Sequence, residues 1–213
     1  MQKDSLTEQK FAPFKSNFRA LSHSAGMSYG FSDNIIAKGN LSAGFRAPNI
    51  AELGSNGRHE GTFRYEDGNQ GLGAETSLQL DGGLLFNTRH VSAEISIFRN
   101  AVSDYIYLKK NGGASGGDSL IVSEGDTLPV FSFMQGDAVL DGGEIVIDIH
   151  PHPFDWLHFE NSFSFVEGTL AGQPGSMKNL PMMPAPRFRS ELKAEFAKTG
   201  KHLKNMYLHL DGE

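Results

Sequence analysis

The chain has 213 residues, 38% of them hydrophobic, with a formal net charge of −6 and no cysteine. This length allows one large β domain or two small ones. The lack of cysteine excludes disulfides and thiolate metal sites, and the acidic balance argues against a nucleic-acid partner. The longest uncharged stretches are rich in Ser and Gly, so no transmembrane helix is predicted, although barrel strands would give a much weaker signal.

Apolar and polar residues alternate with a period of two along most of the chain, which predicts β-strands. In segment 35–46, for example, Leu41 and Phe45 lie on an apolar face, whereas Lys38 and Arg46 lie on a polar face. A soluble sandwich would turn the apolar face into a core. An outer-membrane barrel would turn it towards lipid and line the lumen with the polar face.

Eight segments with this alternation follow one another, and short turns alternate with long loops between them. The predicted strands are 17–31, 35–46, 76–86, 91–100 with an extension to 108, 130–149, 157–166, 187–196 and 203–211. Such alternation of short and long connections is typical of outer-membrane barrels, whose short turns lie at the periplasmic end. We therefore predict an all-β, antiparallel up-and-down meander. One alternative is a soluble β-sandwich or carbohydrate-binding module without a membrane role. Another is a structural barrel or adhesin.

Two motifs resemble those of the TonB-dependent outer-membrane receptors. The segment Phe45-Arg46-Ala47-Pro48 looks like the box that ends a barrel strand and opens a long extracellular loop in that family. Segment 69–76 is similar to the box that begins the returning strand. It matches that box at Asn69, Leu72 and Glu75 and departs from it at Gln70, Gly71 and Ala74.

The resemblance covers residues 17–211 and implies part of a barrel of about 22 strands. Residues 1–16 are then a leader segment of a fragment that lacks the plug and the final strands. The resemblance implies a receptor and transporter in the outer membrane of a Gram-negative bacterium, importing a ferric siderophore or haem. The TonB complex would act through the absent plug. No enzymatic activity and no resident cofactor are expected. Unpaired edges and an apolar face predict that the isolated fragment contacts lipid or self-associates.

Candidate ligand-binding residues lie around the first long loop. Arg46, Arg58 and Arg64 surround its mouth, and guanidinium groups bind anionic carboxylate or hydroxamate oxygens bidentately. In haem-using members of the family a histidine in this interval ligates the haem, which makes His59 the candidate haem ligand. The alternatives are ordinary solvated loop residues and, for Arg46, a structural residue of the lumen.

Three histidines lie close to one short turn, at His150, His152 and His158. Only Asp155 stands near them as a possible carboxylate ligand, and the prolines of the turn predict a rigid connection. The sequence therefore favours a structural turn over a metal site, with Trp156 at the membrane interface. No nucleophile elbow or phosphate-binding loop is recognisable.

Overall fold

The computed structural model describes residues 15–59, 61–113, 116–154, 156–172, 178–198 and 204–213. Most of the leader expected at residues 1–16 thus lies outside the described residues. The elements, in chain order, are β1 (His23–Ser32), β2 (Ile35–Arg46), α1 (Ile50–Gly54), β3 (Asn56–His59), β4 (Arg64–Asp67), β5 (Glu75–Asn87), β6 (Val91–Lys110), β7 (Leu120–Ser123), β8 (Asp126–Ile149), β9 (Leu157–Leu170), β10 (Arg187–Lys198) and β11 (Lys204–Gly212). Within the described ranges, no helix has the length and apolar character needed to cross a membrane.

Eight of these strands form one path in the order β1-β2-β5-β6-β8-β9-β10-β11. The path follows chain order, which confirms the predicted all-β up-and-down meander. The sheet is open, because no pairing between its two end strands occurs among the described residues. The short strands lie off this path: β3 pairs with β4, β4 runs parallel to β8, and β7 pairs antiparallel with β8.

The loops contain more regular structure than the alternation predicted. The sequence pattern predicts no strand in segment 47–74 or segment 109–128. The first contains α1, β3 and β4, and the second contains β7. Each of these strands has four residues, too few for a period of two to stand out. The predicted start of the first strand at Asn17 is wrong. Phe18 packs instead against a buried loop cluster, and β1 begins at His23.

The chain divides into two compact units. Unit 1 comprises residues 1–21, 44–76 and 103–137, and unit 2 comprises residues 22–43, 77–102 and 138–213. Unit 1 contains the first two long connections, whereas unit 2 contains the short turns and most of the paired strand length. Unit 2 also contains the third long connection, between β9 and β10.

Strands of unit 2 carry an exposed face that is mainly apolar. Ile145 of β8 lies opposite Phe163 of β9, which lies opposite Phe188 of β10. Two polar residues interrupt this face, and Ser190 bonds Asn161 across the strands at 2.9 Å. The sequence alternation places six residues on the apolar face of their strands, and all six are exposed: Leu41, Phe45, Ile95, Ile97, Phe159 and Phe163. Soluble monomers rarely expose an apolar patch of this size to water. Contact with lipid removes such a patch from water and stabilises it.

Charged and aromatic residues mark the two borders of this apolar face. On the loop side, Arg99 pairs with Asp141 at 3.5 Å, and Asp141 lies opposite Glu167. On the turn side, the Trp156 ring stacks on Phe196 at 5.4 Å. Segment 157–167 spans about 33 Å at about 3.3 Å per residue, and a tilt of about 40° reduces this to about 25 Å. That height matches the apolar band of outer-membrane barrels.

Candidate functional site

A short capped helix turns the chain immediately after the Phe45–Pro48 motif. The Asn49 side chain accepts a hydrogen bond from the backbone N–H of Glu52 at 2.8 Å. The Glu52 carboxylate accepts one from the backbone N–H of Asn49, also at 2.8 Å. This reciprocal capping box satisfies two free N–H groups at the start of α1. It also holds the Glu52 carboxylate in a buried position at the end of β2.

Arg46 connects the two ends of the first long loop. Its Nε and Nη2 donate to the Glu75 carboxylate at 2.7 and 2.8 Å, and its Nη1 lies 2.9 Å from both oxygens of Glu52. Glu75 also accepts the backbone N–H of Ile106 at 2.5 Å. The hydrogen bonds that Arg46 donates to Glu75 raise the pKa of Arg46 above its ordinary value, and Glu52 adds to this effect while burial opposes it. The group therefore stays charged and ties β2, α1, β5 and β6 together.

The ligand role expected of Arg46 stays a prediction, and the geometry favours its structural alternative. Each of its three guanidinium nitrogens already donates to a carboxylate. The partner Glu52 was missed by the sequence interpretation, although the Asn49-x-x-Glu52 spacing is a recognisable capping signal. Glu75 belongs to the second family motif, but it lies 29 residues from Arg46 in the sequence. No local sequence pattern predicts their contact.

The hairpin β3–β4 separates the other candidate ligand residues onto two faces. Arg58 lies opposite Tyr65, and His59 lies opposite Arg64. Successive residues of a strand alternate between faces, whereas cross-strand partners share one. Arg58 therefore lies on one face of the hairpin, and His59 and Arg64 lie on the other. The four predicted residues do not converge on one point.

Each hairpin arginine has an acidic partner. Nη1 of Arg58 lies 2.6 Å from Oδ2 of Asp126, and Nη2 of Arg64 lies 2.6 Å from Oε1 of Glu66. Both guanidinium groups also lie over aromatic rings, at 4.9 Å from the centroid of Phe63 and 5.4 Å from that of Phe131. These contacts orient the arginines and offset part of their charge.

His59 is exposed near the tip of the hairpin. Its Nδ1 lies 3.1 Å from the hydroxyl oxygen of Thr62. In the tautomer that carries the proton on Nδ1, this nitrogen donates to Thr62 and leaves the Nε2 lone pair free. A hydrogen bond of this kind orients an imidazole for binding a metal.

A small apolar cluster gives the loop region a fixed packing. Leu53 of α1, Leu72 of the second motif and Ile106 of β6 are buried together, with Phe18 and Phe133 against them. The backbone at Gly68 packs tightly against the backbone at Ser55. A Cβ at position 68 would lie only 2.5 Å from the backbone nitrogen of Ser55. The loop that carries the hairpin is therefore a packed structure.

The structure places a carboxylate between two of the three histidines near the short turn. His150 and His158 both contact Asp148, at 3.1 and 2.9 Å. Asp155, the carboxylate expected from the sequence, lies outside the described residues. The backbone N–H of His152 donates to the ring of His90 at 3.2 Å, so His152 lies outside this pair.

The family described as TonB dependent receptor-like, beta-barrel matches residues 2–202. The chain belongs to this family. The TonB-dependent receptors form β-barrels in the outer membrane, in agreement with the open meander and its exposed apolar face. The match begins at residue 2, within the segment expected as a leader, so the boundary at residue 16 stays a prediction.

Solved structures share this fold at low sequence identity. The copper transporter OprC superposes with a TM-score of 0.62 at 20% identity, covering 81% of this chain and 24% of that chain. The siderophore receptor PirA from Acinetobacter baumannii gives 0.56 at 20%, covering 81% and 26%, and PirA from Pseudomonas aeruginosa gives 0.57 at 18%, covering 84% and 31%. At these identities the likeness shows the fold alone. The chain spans between 24% and 31% of the length of these three proteins.

The two family motifs meet at the base of the first long loop. The first motif ends β2 with Arg46, and the second brings Glu75 to the start of β5. Their ion pair at 2.7 Å closes the long loop at its base. The motifs therefore act as a clasp that holds the loop entrance.

Proposed function

We propose that this chain is part of a TonB-dependent receptor that imports a ferric siderophore across the outer membrane of a Gram-negative bacterium. The family match over residues 2–202 carries this proposal. The exposed apolar face supports it, because a soluble sandwich or carbohydrate-binding module would bury that face in a core. In this proposal the strands contact lipid, and the TonB complex supplies energy through a plug domain. No enzymatic step is involved.

The ligand would meet the β3–β4 hairpin first. Arg58 and Arg64 provide cationic groups there, each oriented by a carboxylate and an aromatic ring. Ferric siderophores are often anionic, and guanidinium groups suit their oxygen atoms. Because the two arginines lie on opposite faces of the hairpin, we propose that they attract the complex and do not chelate it together.

We expect the double variant Arg58→Gln, Arg64→Gln in the receptor to bind an anionic ferric siderophore about two- to thirtyfold more weakly at low salt, because two charge contacts of about 0.2–1 kcal/mol each are lost. Salt screens exposed charges, so the difference should shrink as ionic strength rises. Binding of ferric catecholate and hydroxamate probes, with cellular iron uptake, measures this effect. Arg46 is left intact because it clasps the loop.

The matched control is Arg89→Gln, which removes the same charge from a short turn and should leave binding unchanged. Equal affinity of the double variant and the wild type at low salt would contradict the role of Arg58 and Arg64. If the receptor transported neither ferric probe, the siderophore assignment itself would be wrong.

Haem is the competing ligand, and His59 provides its test. If haem is the cargo, His59→Ala should lose the absorbance change that accompanies axial ligation of the haem iron. His90→Ala removes an imidazole from the turn between β5 and β6 instead and serves as the control, since it should bind haem with the wild-type spectrum. An unchanged spectrum in His59→Ala would exclude this histidine as the ligand.

A further inference from the structure

Two rows of ionisable residues cross the polar face of β8, β9, β10 and β11 near the short turns. Strand pairing sets carboxylates directly opposite one another in the first row, at Asp148, Glu160, Glu191 and Asp211. The adjacent row contains imidazoles and one ammonium group, at His150, His158, Lys193 and His209. With neutral histidines this surface has more negative than positive charge, which favours a bound cation.

One end of these rows brings together three potential metal ligands. Oδ2 of Asp148 lies 3.1 Å from Nδ1 of His150 and 2.9 Å from Nδ1 of His158. The three ligand atoms all lie within 4.8 Å of one another. Asp148 and His150 stand two residues apart and therefore on one face, and His158 joins them from the neighbouring strand.

The carboxylate of Asp148 has bonding capacity that its two histidines do not use. Its Oδ1 is buried and has no hydrogen-bond partner among the described residues. Glu160 stands directly opposite, and like charges in that position destabilise a sheet. Lys193 pairs with Glu195, and His209 with Glu191. Within the described ranges, neither Asp148 nor Glu160 therefore has a lysine or arginine partner.

The donor set matches a metal ion of borderline softness. Two imidazole nitrogens and a carboxylate oxygen are common Zn²⁺ ligands, with bond lengths of about 2.0–2.2 Å, so neighbouring ligands of a tetrahedral ion stand about 3.3 Å apart. The observed separations from Asp148 need to open by only a few tenths of an ångström. An adjoining cavity of about 160 Å³, lined in part by Glu160, offers room for a further ligand or water.

We propose that Asp148, His150 and His158 bind a divalent transition metal ion, with Zn²⁺ as the matching example, on the polar face of the sheet. The ion neutralises the paired carboxylates and joins β8 to β9 across their turn. This site is separate from the loop residues assigned to the transported ligand, so it does not depend on what the receptor imports.

Titration of chelator-stripped receptor in detergent micelles with ZnCl₂ tests the proposal. We expect Asp148→Asn and His158→Gln to weaken one Zn²⁺ site at least tenfold, as measured by calorimetry at pH 7.5. His152→Gln is the matched control, a histidine of the same turn outside the cluster, and should bind as the wild type does. Wild-type affinity should fall towards pH 5.5, because protons compete for the imidazoles.

A second readout guards against variants that fold poorly. Zn²⁺ should raise the midpoint of thermal unfolding of the wild type and of His152→Gln, because a ligand that binds the folded state stabilises it. The turn variant His150→Gln, with strand content checked by circular dichroism, should lose this increase. Equal Zn²⁺ affinity in all variants, or no binding by the wild type, would overturn the proposal. Neither outcome bears on siderophore import.

Discussion

Replacing Ile95 by Arg is expected to reduce the folding free energy of the receptor in micelles by about 2–4 kcal/mol, the usual cost of a cation at the middle of the lipid face of a barrel. Ile95 is exposed on the apolar face of β6, where lipid would surround the new charge. Urea titration of folding into detergent micelles measures the change.

Ser96→Arg is the matched control, one residue away on the polar face. Ser96 lines an open groove of about 530 Å³ together with Glu94, so an arginine there has space, water and an acidic neighbour. We expect a change within about 0.5 kcal/mol. Equal losses at both positions would mean that the two faces have been assigned wrongly.

Removing the clasp at the base of the first loop is expected to have the second large effect. In Arg46→Ala, the carboxylates of Glu52 and Glu75 lose the cation that they share. Their side chains are only 11% and 10% exposed, so water cannot replace that cation fully. Leaving buried charges unpaired costs about 3–5 kcal/mol. Because Arg46 itself is 43% exposed, we expect the lower part of that range, about 3 kcal/mol. Urea titration measures it.

Partial rescue distinguishes the ion pair from a loss of packing. Glu75→Gln in the Arg46→Ala background removes one of the stranded charges, so the double variant should be more stable than the sum of the two single effects. Protease cleavage within segment 47–74 should rise in Arg46→Ala and fall again in the double variant. Strict additivity would contradict the charge-based explanation.

The alternation predicted the central strands well because lipid on one side and water on the other impose it. Beyond the apolar band that constraint ends, and there the predicted boundaries failed. β8 begins at Asp126, four residues before the predicted start, and β9 continues to Leu170 beyond the predicted end at 166. Backbone hydrogen bonds extend these strands into segments where apolar and polar residues no longer alternate.

The candidate sites depend on strand register, which the sequence leaves undetermined. Arg46 and Glu75 meet because β2 and β5 are neighbours in the sheet, although segment 47–74 separates them in the sequence. Asp148 and His150 show a visible two-residue spacing, but His158 joins them only through the register of the β8–β9 turn. For this reason Asp148 was missed while the histidines were seen.

The central claim is that alternate residues of these strands face lipid. The chain has no cysteine, so single cysteines can be placed one at a time along segment 158–165 of β9 in the receptor. Each would carry a small fluorophore, and the protein would be reconstituted in vesicles whose acyl chains bear a nitroxide quencher. We expect strong quenching at positions 159, 161, 163 and 165 and weak quenching at 158, 160, 162 and 164. Uniform or inverted quenching along the strand would contradict the membrane-barrel account.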